Sequence, residues 1–328
     1  MSLGLNNRRI TISLMKRGIV FLSLLAILLA GCQGTGPSQP KNDSPFIGGT
    51  QAIDLAFEEN SPPPRVLDSG QESFFITLLL RNGGEFTVPK NGLIASLSGI
   101  PQKSFSIKSL NVVNAFELTG ATKDADLVHA GAEELLEFGE AKYTIDIPAS
   151  FTTQLRADIC YTYQTKAVAN LCLKKNVVAR KNVNDVCDVN VPDVTLHNSA
   201  GPLQATDLRQ TSIGANRVKL SFKIKNVGTG AVYQPATFTS VCAGQDTLKD
   251  MVKVTLTSPE QAFSVQCNQL NNQNSGVVRL VNKEKDITCT IDTTNLQDVT
   301  FQNLILFQMD YMYRTAVVTQ LTVDNSVA

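Results

Sequence analysis

The pentapeptide Tyr161-Thr162-Tyr163-Gln164-Thr165 recurs as Tyr311-Met312-Tyr313-Arg314-Thr315, 150 residues later. The same spacing carries Val168 onto Val318 and Leu171 onto Leu321. Upstream, Leu80-Arg81-Asn82-Gly83-Gly84 matches Ile224-Lys225-Asn226-Val227-Gly228 at a spacing of 144. Two near-equal offsets at distant places mean that one fold is present twice, with a small loop insertion between the matches. The chain is therefore restricted to a tandem of similar modules.

The modules read as β. Residues 74–80 (FFITLLL) are nearly all apolar, the pattern of a strand covered on both faces. Residues 219–225 (KLSFKIK) alternate strictly, the pattern of a strand with one wet face. Shorter β-type runs occupy residues 92–97, 142–147, 251–256 and 299–307. One stretch, residues 132–138 (AEELLEF) stopped by Gly139, reads as a helix. Hydrophobic residues make up 43 % of the chain but aromatics only 6 %, with no Trp, so the cores are aliphatic. The expected fold is all-β: two tandem immunoglobulin-like β-sandwiches over residues 46–178 and 191–328. A polar linker rich in Asn and Asp spans residues 179–190.

The chain's start is a different kind of segment. Arg8, Arg9, Lys16 and Arg17 precede an apolar run over residues 18–31, which ends Leu29-Ala30-Gly31-Cys32. That run is too short for the ~20 residues a membrane-spanning helix needs. A basic start, a short apolar stretch and small residues at its end fit a secretory signal over residues 1–31. A cysteine directly after Ala30-Gly31 is the pattern of a lipobox, in which the Cys32 thiol accepts lipid. A lipid so attached holds a chain on a membrane surface without spanning it. The Gly-, Pro- and Ser-rich stretch up to residue 45 reads as a flexible spacer. Of 29 basic residues the signal takes four, which leaves 25 against 29 acidic ones. A mildly acidic mature chain lacks the basic footprint of nucleic-acid binding.

Six cysteines follow the anchor: Cys160, Cys172, Cys187, Cys242, Cys267 and Cys289. An even number in an exported chain reads as disulfides. Cys160 and Cys172 stand symmetrically about Lys166, so a tight hairpin over residues 161–171 would place them opposite each other as a bridge. The other four allow three pairings.

Motifs for chemistry are sparse. His129 and His197 lie in no metal-binding or hydrolase motif, there is no Cys-x-x-Cys, and no cofactor site is predicted. Asp185, Asp188 and Asp193 could offer oxygens to Ca²⁺, but without the spacing of a known loop they read as a solvated linker. Glu133, Glu137 and Glu140 would share a face of the expected helix, with Glu134 beside them. That group reads as a solvated face rather than an acid/base or metal site. The tyrosine pairs could form an aromatic binding strip, but their recurrence favours packing at a sheet rim with satisfied hydroxyls.

Asn-x-Gly after a core strand is turn chemistry, because Asn and Gly tolerate positive φ. Phe222-Lys223-Ile224-Lys225-Asn226-Val227-Gly228, extended by residues 229–232 (TGAV), resembles the CARDB-type adhesion-related modules. Asn82-Gly83-Gly84 is a looser match. Phe46-Ile47-Gly48-Gly49-Thr50 and Pro62-Pro63-Pro64 are similar to segments of exported proteins of small-genome archaea. These resemblances imply an immunoglobulin-like fold and a surface location, and bring no catalytic residue. The expectation is a lipid-anchored, extracytoplasmic, non-catalytic binding or adhesion protein, with the membrane as one partner and a surface protein or glycan as the other. A structural subunit of an envelope assembly is the alternative. A wall-polymer hydrolase, with residues 133–140 the first place to look, comes third.

Overall fold

A computed structural model of the chain describes residues 44–125, 127–178, 185–235, 246–259 and 263–326. The signal, Cys32 and Cys242 lie outside the described residues, as do the spacer up to residue 43 and residues 179–184 of the linker. Residues 44–328 form one compact unit.

The first repeat contributes β1 (Ile53–Phe57), β2 (Arg65–Leu67), β3 (Phe74–Asn82), β4 (Leu93–Ser98), β5 (Asn111–Val113), β6 (Thr122–Asp124), β7 (Leu127–His129), β8 (Glu133–Ala141) and β9 (Phe151–Leu173). The second contributes β10 (His197–Asn198), β11 (Leu203–Ser212), β12 (Arg217–Asn226), β13 (Ala231–Tyr233), β14 (Met251–Thr257), β15 (Val265–Cys267), β16 (Ser275–Arg279), β17 (Glu284–Asp292) and β18 (Phe301–Asp324). Among the described residues there is no α-helix, and none long and apolar enough to cross a membrane. The chain is an all-β sandwich.

The two small sheets, β1-β3-β8 and β11-β12-β17-β15, pack against one large sheet ordered β16-β14-β18-β9-β4-β5. β12 shows the expected alternation, with Val218, Leu220, Phe222 and Ile224 buried. Phe222 meets Phe307 of β18 edge-on across the layers, ring centroids 4.9 Å apart.

Three local expectations are corrected. Residues 133–141 form β8, not a helix: Leu136 and Phe138 point inward at period two, while Glu133, Leu135 and Glu137 point out. Pairing along β3 supplies what local helix preference would have supplied, an instance of tertiary context overriding propensity. β3 is not covered on both faces throughout, since Phe75 is 55 % exposed. Residues 142–147 are irregular rather than a strand. Their backbone bonds outward to a loop, from Lys142 N to Phe105 O and from Thr144 N to Ser104 O.

β9 and β18 dominate the architecture. They pair antiparallel from Phe301↔Leu173 to Val323↔Phe151, 23 consecutive positions. At about 3.3 Å per residue each runs for roughly 70 Å. Thr162 pairs with Met312, and these are also the residues that the 150-residue offset equates. The two repeats are therefore related by an approximate two-fold axis through the middle of this ladder. One half of each long strand backs its own repeat, and the other half extends beside its mate. Residues 185–190 of the expected linker join two repeats that share a sheet.

The expected Cys160–Cys172 bridge is not made. Both cysteines lie on the uninterrupted β9, twelve residues apart, which at the rise of a strand is about 40 Å. No Gly, Pro or Asn-Gly turn occurs between them, so nothing reverses the chain. Cys172 instead bridges Cys187, and Cys267 bridges Cys289. Cys160 is buried with Tyr233 and Met312.

Candidate functional site

The tyrosines are structural. Register places Tyr161 opposite Tyr313 and Tyr163 opposite Tyr311, with ring centroids about 6.0 and 5.9 Å apart. Each hydroxyl has a partner. Tyr161 accepts from Ile53 N (3.3 Å) and Tyr313 from Gly230 N (2.7 Å); Tyr163 donates to Ala200 O (3.1 Å), and Tyr311 is hydrogen-bonded to Thr165 Oγ1 (2.7 Å). Burial raises the pKa of all four hydroxyls.

The Asn-x-Gly turns belong to the same device. Asn82 Oδ1 accepts from Gly84 N and its amide donates to Phe86 O; Asn226 Oδ1 accepts from Gly228 N and its amide donates to Gly230 O. A Cβ on Gly84 would collide with the Tyr163 hydroxyl, and one on Gly228 with the Tyr313 hydroxyl. Next to the first turn, Glu85 accepts from Ile47 N, Gly48 N and Ala200 N at 3.0, 3.1 and 2.5 Å, tying the F-I-G-G-T segment to the second repeat.

The other sequence candidates do not converge. Glu133 pairs with Arg81, and Glu134 accepts from Ala115 N. Asp185 accepts from Thr300 Oγ1 and lies 3.6 Å from Lys174 Nζ, while Asp188 accepts from Asn190 N. His129 is exposed on β7, and His197 is on β10. Among the described residues no group of three metal-ligating side chains assembles.

A groove of about 1080 Å³ lies at one end of the β11-β12-β17-β15 sheet. Motif reading misses it, because its residues come from three separate segments of the chain, residues 213–217, 263–266 and 290–296. Its floor is outward-facing Gln266 of β15, Thr290 and Asp292 of β17, and Arg217 of β12. Its walls are the β11–β12 turn at residues 213–216, the turn at residues 294–296, and Phe263 before β15.

This floor is pinned. Gln266 and Thr290 are register partners, and the Cys267–Cys289 bridge joins the adjacent pair. The walls are held by Thr293 N to Asn216 O (2.9 Å), Thr293 Oγ1 to Lys175 O (2.8 Å) and Ile213 N to Arg217 O (2.9 Å). Asp292 Oδ1 accepts from both the hydroxyl and the N–H of Thr294. These bonds, the hydroxyl first and then the N–H, with the attraction of Arg217, hold the Asp292 carboxyl below its ordinary pKa. Among the described residues the groove thus presents one fixed carboxylate, one guanidinium, amides, hydroxyls and an aromatic ring.

No known protein family matches the chain, and no curated protein matches it. Among solved structures it is similar to envelope protein VP37 of White Spot Syndrome Virus, at 10 % identity and a TM-score of 0.21, over 47 % of this chain and 98 % of that one. It is also similar to the Yersinia pseudotuberculosis adhesin InvE, at 13 % identity and a TM-score of 0.18, over 84 % of this chain and 60 % of that one. The secreted serine protease VesC from Vibrio cholerae gives 12 % identity and a TM-score of 0.21, over 80 % of this chain and 51 % of that one.

Proposed function

We propose that this chain is a lipid-anchored, extracytoplasmic binding protein that works without catalysis, as an adhesin or a holder of a surface partner. The observation that carries the reading is the preformed groove over the β15–β17 disulfide. Among the described residues its lining offers hydrogen-bonding groups in number but a single carboxylate and no histidine or cysteine. Nucleophilic and general acid–base catalysis work through closely paired groups, whereas binding needs only placed donors and acceptors. The two bridges suit an oxidising compartment outside the cytoplasm. The Leu29-Ala30-Gly31-Cys32 pattern supplies the tether.

Fractionation tests the anchor. Wild-type protein is expected in the membrane pellet, extractable by detergent, and Cys32→Ser in the soluble extracytoplasmic fraction. Cys32→Ser retained as tightly as wild type would overturn the lipid tether.

A further inference from the structure

We infer that the groove at the end of the second repeat binds a neutral carbohydrate chain. The inference rests on the surface-binder reading and names its ligand class.

Four observations point this way. Among the described residues Arg217 and Asp292 are the groove's two charged groups and their formal charges cancel, so they give no net attraction for a strongly charged ligand. The side chains of Gln266, Thr290 and Asn295 line it and make no hydrogen bond to other described residues. An amide offers two donors and an acceptor, and a hydroxyl offers both roles, which matches the mixed donor–acceptor pattern of sugar hydroxyls. Asp292 has its Oδ1 occupied by Thr294, which leaves Oδ2 for an incoming hydroxyl, and charge-assisted bonds of this kind are the stronger ones. Phe263, half-buried against the core, lines the groove and supplies apolar carbon surface for the C–H face of a sugar ring.

The corresponding end of the first repeat differs. There Phe74, Phe105, Tyr143 and Phe151 stack edge-to-face in a continuous chain. Duplication supplied two such ends; one is built from packed aromatic rings, and the other carries the polar groove.

The test titrates the full mature chain with maltoheptaose, cellohexaose, mannohexaose and chitohexaose, read by saturation-transfer NMR and calorimetry. At least one is expected to bind, with saturation transferred to Phe263 ring protons. Gln266→Ala combined with Asn295→Ala is expected to weaken binding by roughly tenfold or more. Both positions are exposed, so the melting temperature is expected to hold, and Phe263→Leu gives a second variant that keeps wall volume while losing the ring. Glu133→Gln, on the other small sheet, is expected to leave binding unchanged. No binding of any of the four sugars to folded protein, or binding that survives the double substitution, would overturn the inference. Sugar binding that survives in the folded double variant would overturn the groove assignment alone and leave the surface-binder reading standing, whereas no binding of any of the four sugars removes the ligand class.

Discussion

Tyr163 and Tyr313 occupy the space that a Cβ would fill at Gly84 and Gly228. Each glycine is held by the Asn side chain two residues before it, so Asn, Gly and Tyr form one packing unit made twice. Gly228→Ala is expected to cost about 1–3 kcal/mol through overpacking, measured by denaturant unfolding. Asn226→Ala is expected to cost a similar ~1–3 kcal/mol, because it strands Gly230 O and leaves Gly228 N with only its long bond to Pro202 O (3.4 Å). The tyrosines also set a pH limit. Their folded-state pKa values are raised by burial, so the stability they contribute is complete below the unfolded tyrosine pKa near 10. It is lost as pH rises beyond that value, by up to about 1.4 kcal/mol per pH unit for each tyrosine that ionises on unfolding. Stability that stays flat to pH 11.5 (roughly 1.5 units above that reference) would contradict the buried cluster. Both halves of this device are legible in the sequence, as Asn-x-Gly and Tyr-x-Tyr. That they touch is not legible, because the partners lie about eighty residues apart in each repeat, and only the sandwich brings them together.

At the scale of elements, the uninterrupted β9 is where sequence reading and structure part. Symmetric cysteines suggest a hairpin, but residues 161–171 contain no turn chemistry, and their burial alternates like a strand up to Ala167. The bridges that form join Cys172 to the returning segment at Cys187, and β15 to β17 at the register pair Cys267↔Cys289. Non-reducing peptide mapping is expected to recover both linkages, and a Cys160–Cys172 peptide would refute this account of β9. Replacing both Cys172 and Cys187 by Ala opens a loop of 15 residues. Chain entropy for that length gives a loss of about 3 kcal/mol, checked by the shift of the unfolding midpoint. β8 shows the same limit of local reading: Glu-Glu-Leu-Leu-Glu-Phe has good helix formers, and only its place beside β3 makes it a strand. Strands such as β12, whose faces differ sharply in polarity, are the ones the sequence alone places correctly, because period two is visible without knowing the partner.

At the scale of the whole molecule, the repeats behave as an intramolecular pair about a two-fold axis. The duplication is legible from the 150-residue offset, but the shared ladder is not, since offsets carry no information about pairing. Residues 191–328 alone would leave the whole of β18 without its β9 partner, an exposed edge along its entire length. Such a fragment is expected to lack a cooperative transition, while residues 44–328 unfold in one step; a fragment with a sharp melt of its own would contradict the shared core. The proposed function belongs to this scale too: a tethered, free-standing binder rather than a component of a fixed envelope assembly. Cross-linking on intact cells, followed by purification through a C-terminal tag and mass spectrometry, tests it most directly. Mostly monomer is expected, with sparse cross-links that vary in partner and amount. A constant set of envelope proteins linked in near-equal amounts would contradict it and make this chain a part of their assembly.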